Sequence, residues 1–152
     1  MRRWIWFIMV AAALLLLPEG QQTDISHLHP VQLLYIYKEE GGIVLKTDVG
    51  DSGKGETLPD ALKNLHATSE GDLFLETVEY LLVTEETKPM ILEFGDILRP
   101  ATYLVVALTD VNVEKVVQYL EIHRPEVTLL DYRTGVKELP KLVEKEGRCC
   151  LE

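Results

Sequence analysis

The sequence predicts an α/β domain, on the border with α+β, built on a mixed sheet of about four to five strands with helices packed against it. Three observations lead there. Apolar runs of strand length alternate with stretches whose apolar residues recur at three and four positions. Glycine, proline or charged turns bound nearly every run. Hydrophobic residues make up 47% of the chain and charged residues 26%, a balance that supports a packed core. A chain of 152 residues suits one core rather than several.

The first element is not part of that domain. Arg2-Arg3 precedes an apolar run, Trp4 to Leu17, closed by Pro18-Glu19-Gly20. Positive charges ahead of such a run match the opening of a secretory signal. At ~1.5 Å per residue the run reaches roughly 21 Å, short of the ~30 Å hydrocarbon core. Residues 1–20 are therefore expected to be a signal peptide or, since Pro18-Glu19-Gly20 is a poor small-x-small cleavage site, an uncleaved N-terminal membrane anchor. Either places the protein outside the cytoplasm, on the outer face of the membrane or secreted.

After a linker over residues 21–30, Val31 to Tyr37 is rich in β-branched and aromatic residues and reads as a strand. A turn at Lys38 to Gly42 leads to a second run, Ile43 to Val49, giving an antiparallel hairpin. Gly50 to Gly55 reads as a flexible loop. Thr57 caps a helix from Pro59 to Ala67, with Asp60 completing a capping-box-like pattern and Ala61, Leu62 and Leu65 on the buried stripe. Leu73-Phe74-Leu75 introduces a strand through Val83, and Thr84 is expected to cap a helix running to Phe94. Ala101 to Leu108 is the most strand-like run and is taken as the central strand. Asp110 or Asn112 starts a helix with Val113, Val116, Val117 and Leu120 on one face, ended before Arg124-Pro125. Val127 to Tyr132 reads as a short edge strand, Leu139 to Glu146 as a last amphipathic helix. The expected order is ββαβαβα with a βα tail, in a single domain over 31–146 followed by a polar tail, 147–152.

Composition excludes one class of function. The formal charge is −10, and without residues 1–20 the chain keeps 13 basic against 24 acidic residues, a net of −11. Such a balance repels nucleic acid, and no basic stripe exists to neutralise phosphates. Contact with a membrane is expected through the N-terminal segment alone.

The motifs that carry chemistry elsewhere are weak here. Gly50 and Gly55 have the spacing of a phosphate-binding loop, but Glu56 stands where the lysine must be, and a carboxylate there repels the anion. Asp24, His27 and His29 lie close together, yet His66 and His123 are isolated in separate helices, so no metal site is expected. Ser26, Ser52 and Ser69 sit in polar stretches without a nucleophile elbow. Glu39-Glu40 and Glu85-Glu86 read as solvated turn and helix-start charges. Cys149 and Cys150 are adjacent, so they cannot staple the core or furnish a zinc site and read as a tail thiol pair of no structural role; the alternative is intermolecular pairing in an oxidising compartment. Tyr35 and Tyr37 share one face of the first strand, a core-packing pair that becomes an interaction surface if that face is exposed. No cofactor and no catalytic residue is expected.

Two segments carry a family resemblance. Gly55-Glu-Thr57-Leu58-Pro-Asp-Ala61-Leu-Lys-Asn-Leu65 opens a helix from a Gly-x-Thr-hydrophobic turn. Leu73-Phe74-Leu75 then runs through Val78 and Leu81-Leu82-Val83 to Glu85-Glu86, with a long strand at Tyr103 to Ala107 beyond. Together with Asp24-Ile25 and Leu28 upstream, this resembles the N-terminal domain of the C subunits of spore-germinant receptors, the Ger(x)C family, over Asp24 to Asp110. The chain departs from the family's pattern at Thr77, where a histidine is frequent, and lacks a lipobox cysteine after the apolar run, so it looks like a truncated and divergent relative. The resemblance implies a non-enzymatic, membrane-associated part of a sporulation or germination apparatus, acting through membrane-embedded protein partners such as germinant-receptor subunits. The alternatives are a small-ligand-binding extracytoplasmic domain and a cryptic hydrolase.

Overall fold

The computed structural model describes residues 28–145 and 147–152. The expected targeting segment, most of the linker, and Asp24, Ser26 and His27 lie outside the described residues. Leu28–Pro30 forms β1, which belongs to a separate two-stranded parallel sheet. The main sheet begins with β2, Leu33–Glu39, and β3, Gly42–Thr47, paired antiparallel with Glu39 opposite Gly42. The connection is Glu40-Gly41, both at positive φ (41° and 79°), a geometry whose twist matches the flanking strands. The expected hairpin is present, with a tighter turn.

Ser52–Gly55 forms β4, antiparallel to β3. This corrects the reading of Gly50 to Gly55 as a loop: Gly53 and Gly55 lie where the backbone of the next helix passes, with no room for a side chain. That helix, α1, spans Leu58–Thr68, and the Thr57 side chain accepts from the Asp60 amide as expected. Asp72–Phe74 forms β5, the parallel partner of β1. A 3₁₀ turn at Leu75–Thr77 then separates it from β6, Tyr80–Thr84, so the single strand expected from Leu73 to Val83 is two. The Thr77 hydroxyl makes the break by donating to the Phe74 carbonyl at 2.7 Å and accepting from the Val31 amide at 3.1 Å.

Thr84 ends β6 rather than capping a helix. Thr87 follows it, fully buried: its hydroxyl donates to the Ile36 carbonyl at 2.9 Å and accepts from the Thr84 amide at 2.9 Å, tying the exit of β6 to β2. A 3₁₀ helix over Lys88–Asp96 follows, burying Ile91 and Phe94. Tyr103–Ala107 forms β7 and Val113–Ile122 forms α2, whose cap is Asn112 and whose buried residues are the four expected.

Beyond that helix the expectations fail in a consistent way. Val127 to Tyr132 is not an edge strand: Leu129–Thr134 forms α3, because Thr128 and Asp131 close a full capping box. Leu139 to Glu146 is not a helix: Lys141–Lys145 forms β8, with Leu142 and Val143 buried. Apolar residues at 139, 142 and 143 fit either period in so short a run. The polar tail carries a strand, Arg148–Leu151, which is β9.

The sheet therefore has seven strands in the order β4-β3-β2-β6-β7-β8-β9, larger than expected. Strands β2, β6, β7 and β8 are mutually parallel; β3 and then β4 continue the sheet by antiparallel pairing beyond β2, and β9 alone does so beyond β8. The middle strand is β6, not β7, because β4, β3 and β2 lie on one side of β6 and β7, β8 and β9 on the other. One face packs against α1, the long 3₁₀ helix and α3, around Leu34, Ile36, Leu81, Leu104 and Phe94. The other packs against α2 around Leu33, Leu82, Val105 and Leu120. Burial on both faces explains the unbroken apolar runs in β2, β6 and β7.

Candidate functional site

Parallel strands deliver their loops to one end of the sheet, and a cleft opens where neighbouring loops depart toward opposite faces. Here β6 exits through Glu85-Glu86 to the 3₁₀ helix on one face, and β7 exits through Leu108 to Asp110 to α2 on the other. Between them, beside the end of β2, lies an open cleft of about 570 Å3.

Its walls follow from strand alternation. Tyr35 and Tyr37 point to the same side of β2 and stack with ring centroids 4.9 Å apart at 29°. Tyr35 is buried and Tyr37 half-buried, so the expected pair is core packing at its inner member and cleft wall at its outer one. Desolvation, then Asp110 and the neighbouring phenol, push the Tyr35 hydroxyl up to about 12. Desolvation, Glu39 and Asp110 raise Tyr37 as well. Both phenols therefore stay protonated at neutral pH and can donate hydrogen bonds.

The rim is acidic. Glu39, Glu85, Glu86 and Asp110 border the cleft, with Lys38 as the lining cation. Lys54 and Lys141 lie 3.8 Å from Glu39 and Glu85, as exposed pairs of small energetic weight. Leu108, 44% exposed, gives the cleft an apolar patch between these charges. Below the rim Thr84 and Thr87 are occupied by each other and by the Ile36 carbonyl. The lining residues can bind and orient a cation or a hydrogen-bond acceptor.

The other residues singled out by sequence lie elsewhere. Ser69 donates to Asp51 at 3.2 Å beyond the end of α1, and Ser52 is in β4. His29 is in β1, His66 in α1, and His123 stacks on Tyr119 with centroids 4.4 Å apart. Among the described residues no group of three or more His, Cys, Asp or Glu is placed to hold a metal. No described helix is long and apolar enough to cross a membrane. Sequence reading named the tyrosines and Glu85-Glu86 but did not join them to Asp110; the available signal was that Tyr37 lies toward the end of one strand of the parallel set, while Glu85-Glu86 and Asp110 follow two others.

Comparison with protein families, with curated proteins and with solved structures finds no match to this chain.

Proposed function

We propose that the chain is a non-enzymatic, extracytoplasmic, membrane-associated interaction module, related to the C subunits of spore-germinant receptors and working by contact with membrane-embedded protein partners. The observation that carries this reading is where the resembling residues fall. Thr57, Ala61 and Leu65 start and bury α1, Leu81 to Val83 fill β6, Glu85-Glu86 form its exit, and Tyr103 to Ala107 form β7. They make one continuous frame that ends at the acidic cleft. In this reading the rim is the contact surface and the N-terminal segment holds it near its partner. The test is fractionation of cells expressing the tagged chain, with crosslinking and mass spectrometry of what it touches. Crosslinks from Lys38 to a multi-spanning membrane protein, with altered germination in a deletion strain, are expected. A cleaved, freely secreted chain without a partner counts against the reading.

A second reading, a small-ligand-binding domain, draws on the cleft itself. Stacked phenol rings beside four carboxylates suit an organic cation, which gains from the ring face and from the charges. Calorimetric titration with alkylammonium compounds tests it. Binding that weakens about tenfold in Tyr37→Ala supports this reading; no heat with any cation sinks it.

A further inference from the structure

The two edges of the main sheet are finished differently. At β4, α1 covers the edge: Asn64 Nδ2 donates to the Lys54 carbonyl at 2.7 Å and Thr68 Oγ1 to the Ser52 carbonyl at 2.8 Å. An added strand would have to displace both. At β9 no strand of the described residues pairs with the outer edge. Lys141 and Glu152 exchange both backbone hydrogen bonds, at 2.9 and 2.8 Å. Antiparallel alternation then pairs Cys150 with Val143 and Arg148 with Lys145 by hydrogen bonds, and turns the amides and carbonyls of Cys149 and Leu151 outward. Among the described residues the partner this edge finds is the Tyr119 hydroxyl, which accepts from the Leu151 amide at 3.0 Å.

The sequence of β9 is complementary to itself. Laid antiparallel about Cys150, Arg148-Cys149-Cys150-Leu151-Glu152 sets Arg148 opposite the partner's Glu152, Cys149 opposite the partner's Leu151 and Cys150 opposite the partner's Cys150. The hydrogen-bonded positions in that register are Cys149 and Leu151, the two whose backbone groups face outward. Arg148, Cys150 and Glu152 share the exposed face, so two opposite-charge pairs flank the cysteines. Cys149 and Leu151 share the other face, where they pack against the α2-side core, and the pairing extends that core across the junction. A register shifted by two residues loses both ion pairs. We infer that β9 is a homodimerisation edge, across which a second copy adds its own β9 antiparallel and joins the two sheets about a two-fold axis at Cys150.

In the dimer the Leu151 amide exchanges the Tyr119 hydroxyl for a carbonyl of the second copy. Glu152, already 3.2 Å from Lys145 Nζ, gains the partner's Arg148 as a second cation. The two Cys150 residues form a non-hydrogen-bonded cross-strand pair, with Cα atoms about 4.5 Å apart, inside the range a disulfide spans. Burial and the Glu144 carboxylate push the Cys149 thiol up, so Cys149 ionises late and exchanges slowly. Cys150 is thus the natural reporter of the interface.

The experiment is disulfide trapping of the full chain in detergent micelles with glutathione disulfide, read on non-reducing gels. Two Cys150 thiols give up two protons and two electrons to one glutathione disulfide, leaving one interchain bond and two glutathione molecules. Wild type and Cys149→Ser are expected to form the covalent dimer, and Cys150→Ser is not. Arg148→Glu turns both attractive pairs repulsive and should slow trapping about tenfold, with Arg148→Glu combined with Glu152→Arg restoring the wild-type rate. Three results overturn the inference: trapping that survives Cys150→Ser, trapping indifferent to Arg148→Glu, or no dimer at any concentration. Indifference to Arg148→Glu would assign association to the N-terminal segment.

Discussion

A Cβ at Gly53 would meet the Leu65 amide and the Ala61 carbonyl, and one at Gly55 the Ala61 amide, all backbone atoms of α1 that no rotamer change can move. Gly53→Ala must therefore lift the helix from β4, breaking the Asn64 and Thr68 bonds that finish that edge. A loss of about 3 kcal/mol is expected, read as a lower urea midpoint; an unchanged midpoint would refute the close approach. These glycines read as a loop in the sequence because a missing side chain signals flexibility and close packing alike. Tyr35 carries a second prediction at this scale. Its hydroxyl is raised to about 12, mainly by burial, so the folded chain keeps a proton that the unfolded chain releases near the ordinary value of 10. Its contribution is whole below pH 10 and is lost as pH rises toward 12. Wild type should lose stability across that window and Tyr35→Phe should lose less. Some slope will remain, because Tyr37 and Tyr80 are shifted in the same direction. Equal alkaline slopes for the two proteins would remove Tyr35 from the core of the cleft wall.

Elements whose ends are set by local chemistry were readable, and those set by distant partners were not. Thr57 with Asp60 marks the start of α1 from within four residues, and Asn112, one of the two caps the sequence offers, starts α2 by accepting from the Lys115 amide. The hairpin turn is local in the same sense. By contrast, β8 and β9 exist because β7 offers an edge to pair with, and nothing within Leu139 to Glu152 announces that. The one local signal passed over was Thr128 with Asp131. The Asp131 carboxylate accepts from the Thr128 hydroxyl at 2.6 Å and from its amide at 2.9 Å, while the hydroxyl accepts from the Asp131 amide. That box outweighs the strand propensity of Val127-Thr128. Thr128→Ala should cost about 1 kcal/mol in thermal or urea unfolding, and a neutral result would mean that packing of Leu129 and Tyr132 alone holds α3. The same hydrogen bonds hold the Asp131 carboxyl below its ordinary value. Its contribution is present above the ordinary carboxylate range and is lost as pH falls through the lowered folded value. Asp131→Asn should therefore flatten the acid limb of the stability curve while leaving the alkaline limb alone.

At the scale of the whole molecule, one sheet separates two cores. Ile91 sits in the core on the α1 side and Leu120 in the core on the α2 side, both fully buried. The strands between them bury side chains alternately into each, as Leu81 and Leu82 do in β6 and Leu104 and Val105 in β7. A strand cannot leave one core and stay in the other, so the layers must melt together although they share no side-chain contacts across the sheet. Two consequences follow that pull apart the usual meanings of coupled and independent. The energetic effects of mutations on opposite faces should add, because the altered side chains have no common neighbours. The unfolding transition should nevertheless remain single, because the shared backbone is lost all at once. Ile91→Val is expected to cost about 1 kcal/mol and Leu120→Ala about 3 kcal/mol. The double variant should lose their sum within about 0.5 kcal/mol, with tyrosine fluorescence and far-ultraviolet circular dichroism giving coincident curves in urea. Non-additive losses would mean that the sheet itself yields and passes strain from one core to the other. Curves that separate in Leu120→Ala would mean that α2 can detach while β2, β6 and β7 stay paired. In that case the cleft, whose far wall is the β7 exit into α2, would open with the helix, and occupancy of the cleft by a ligand or partner should close the gap between the two curves.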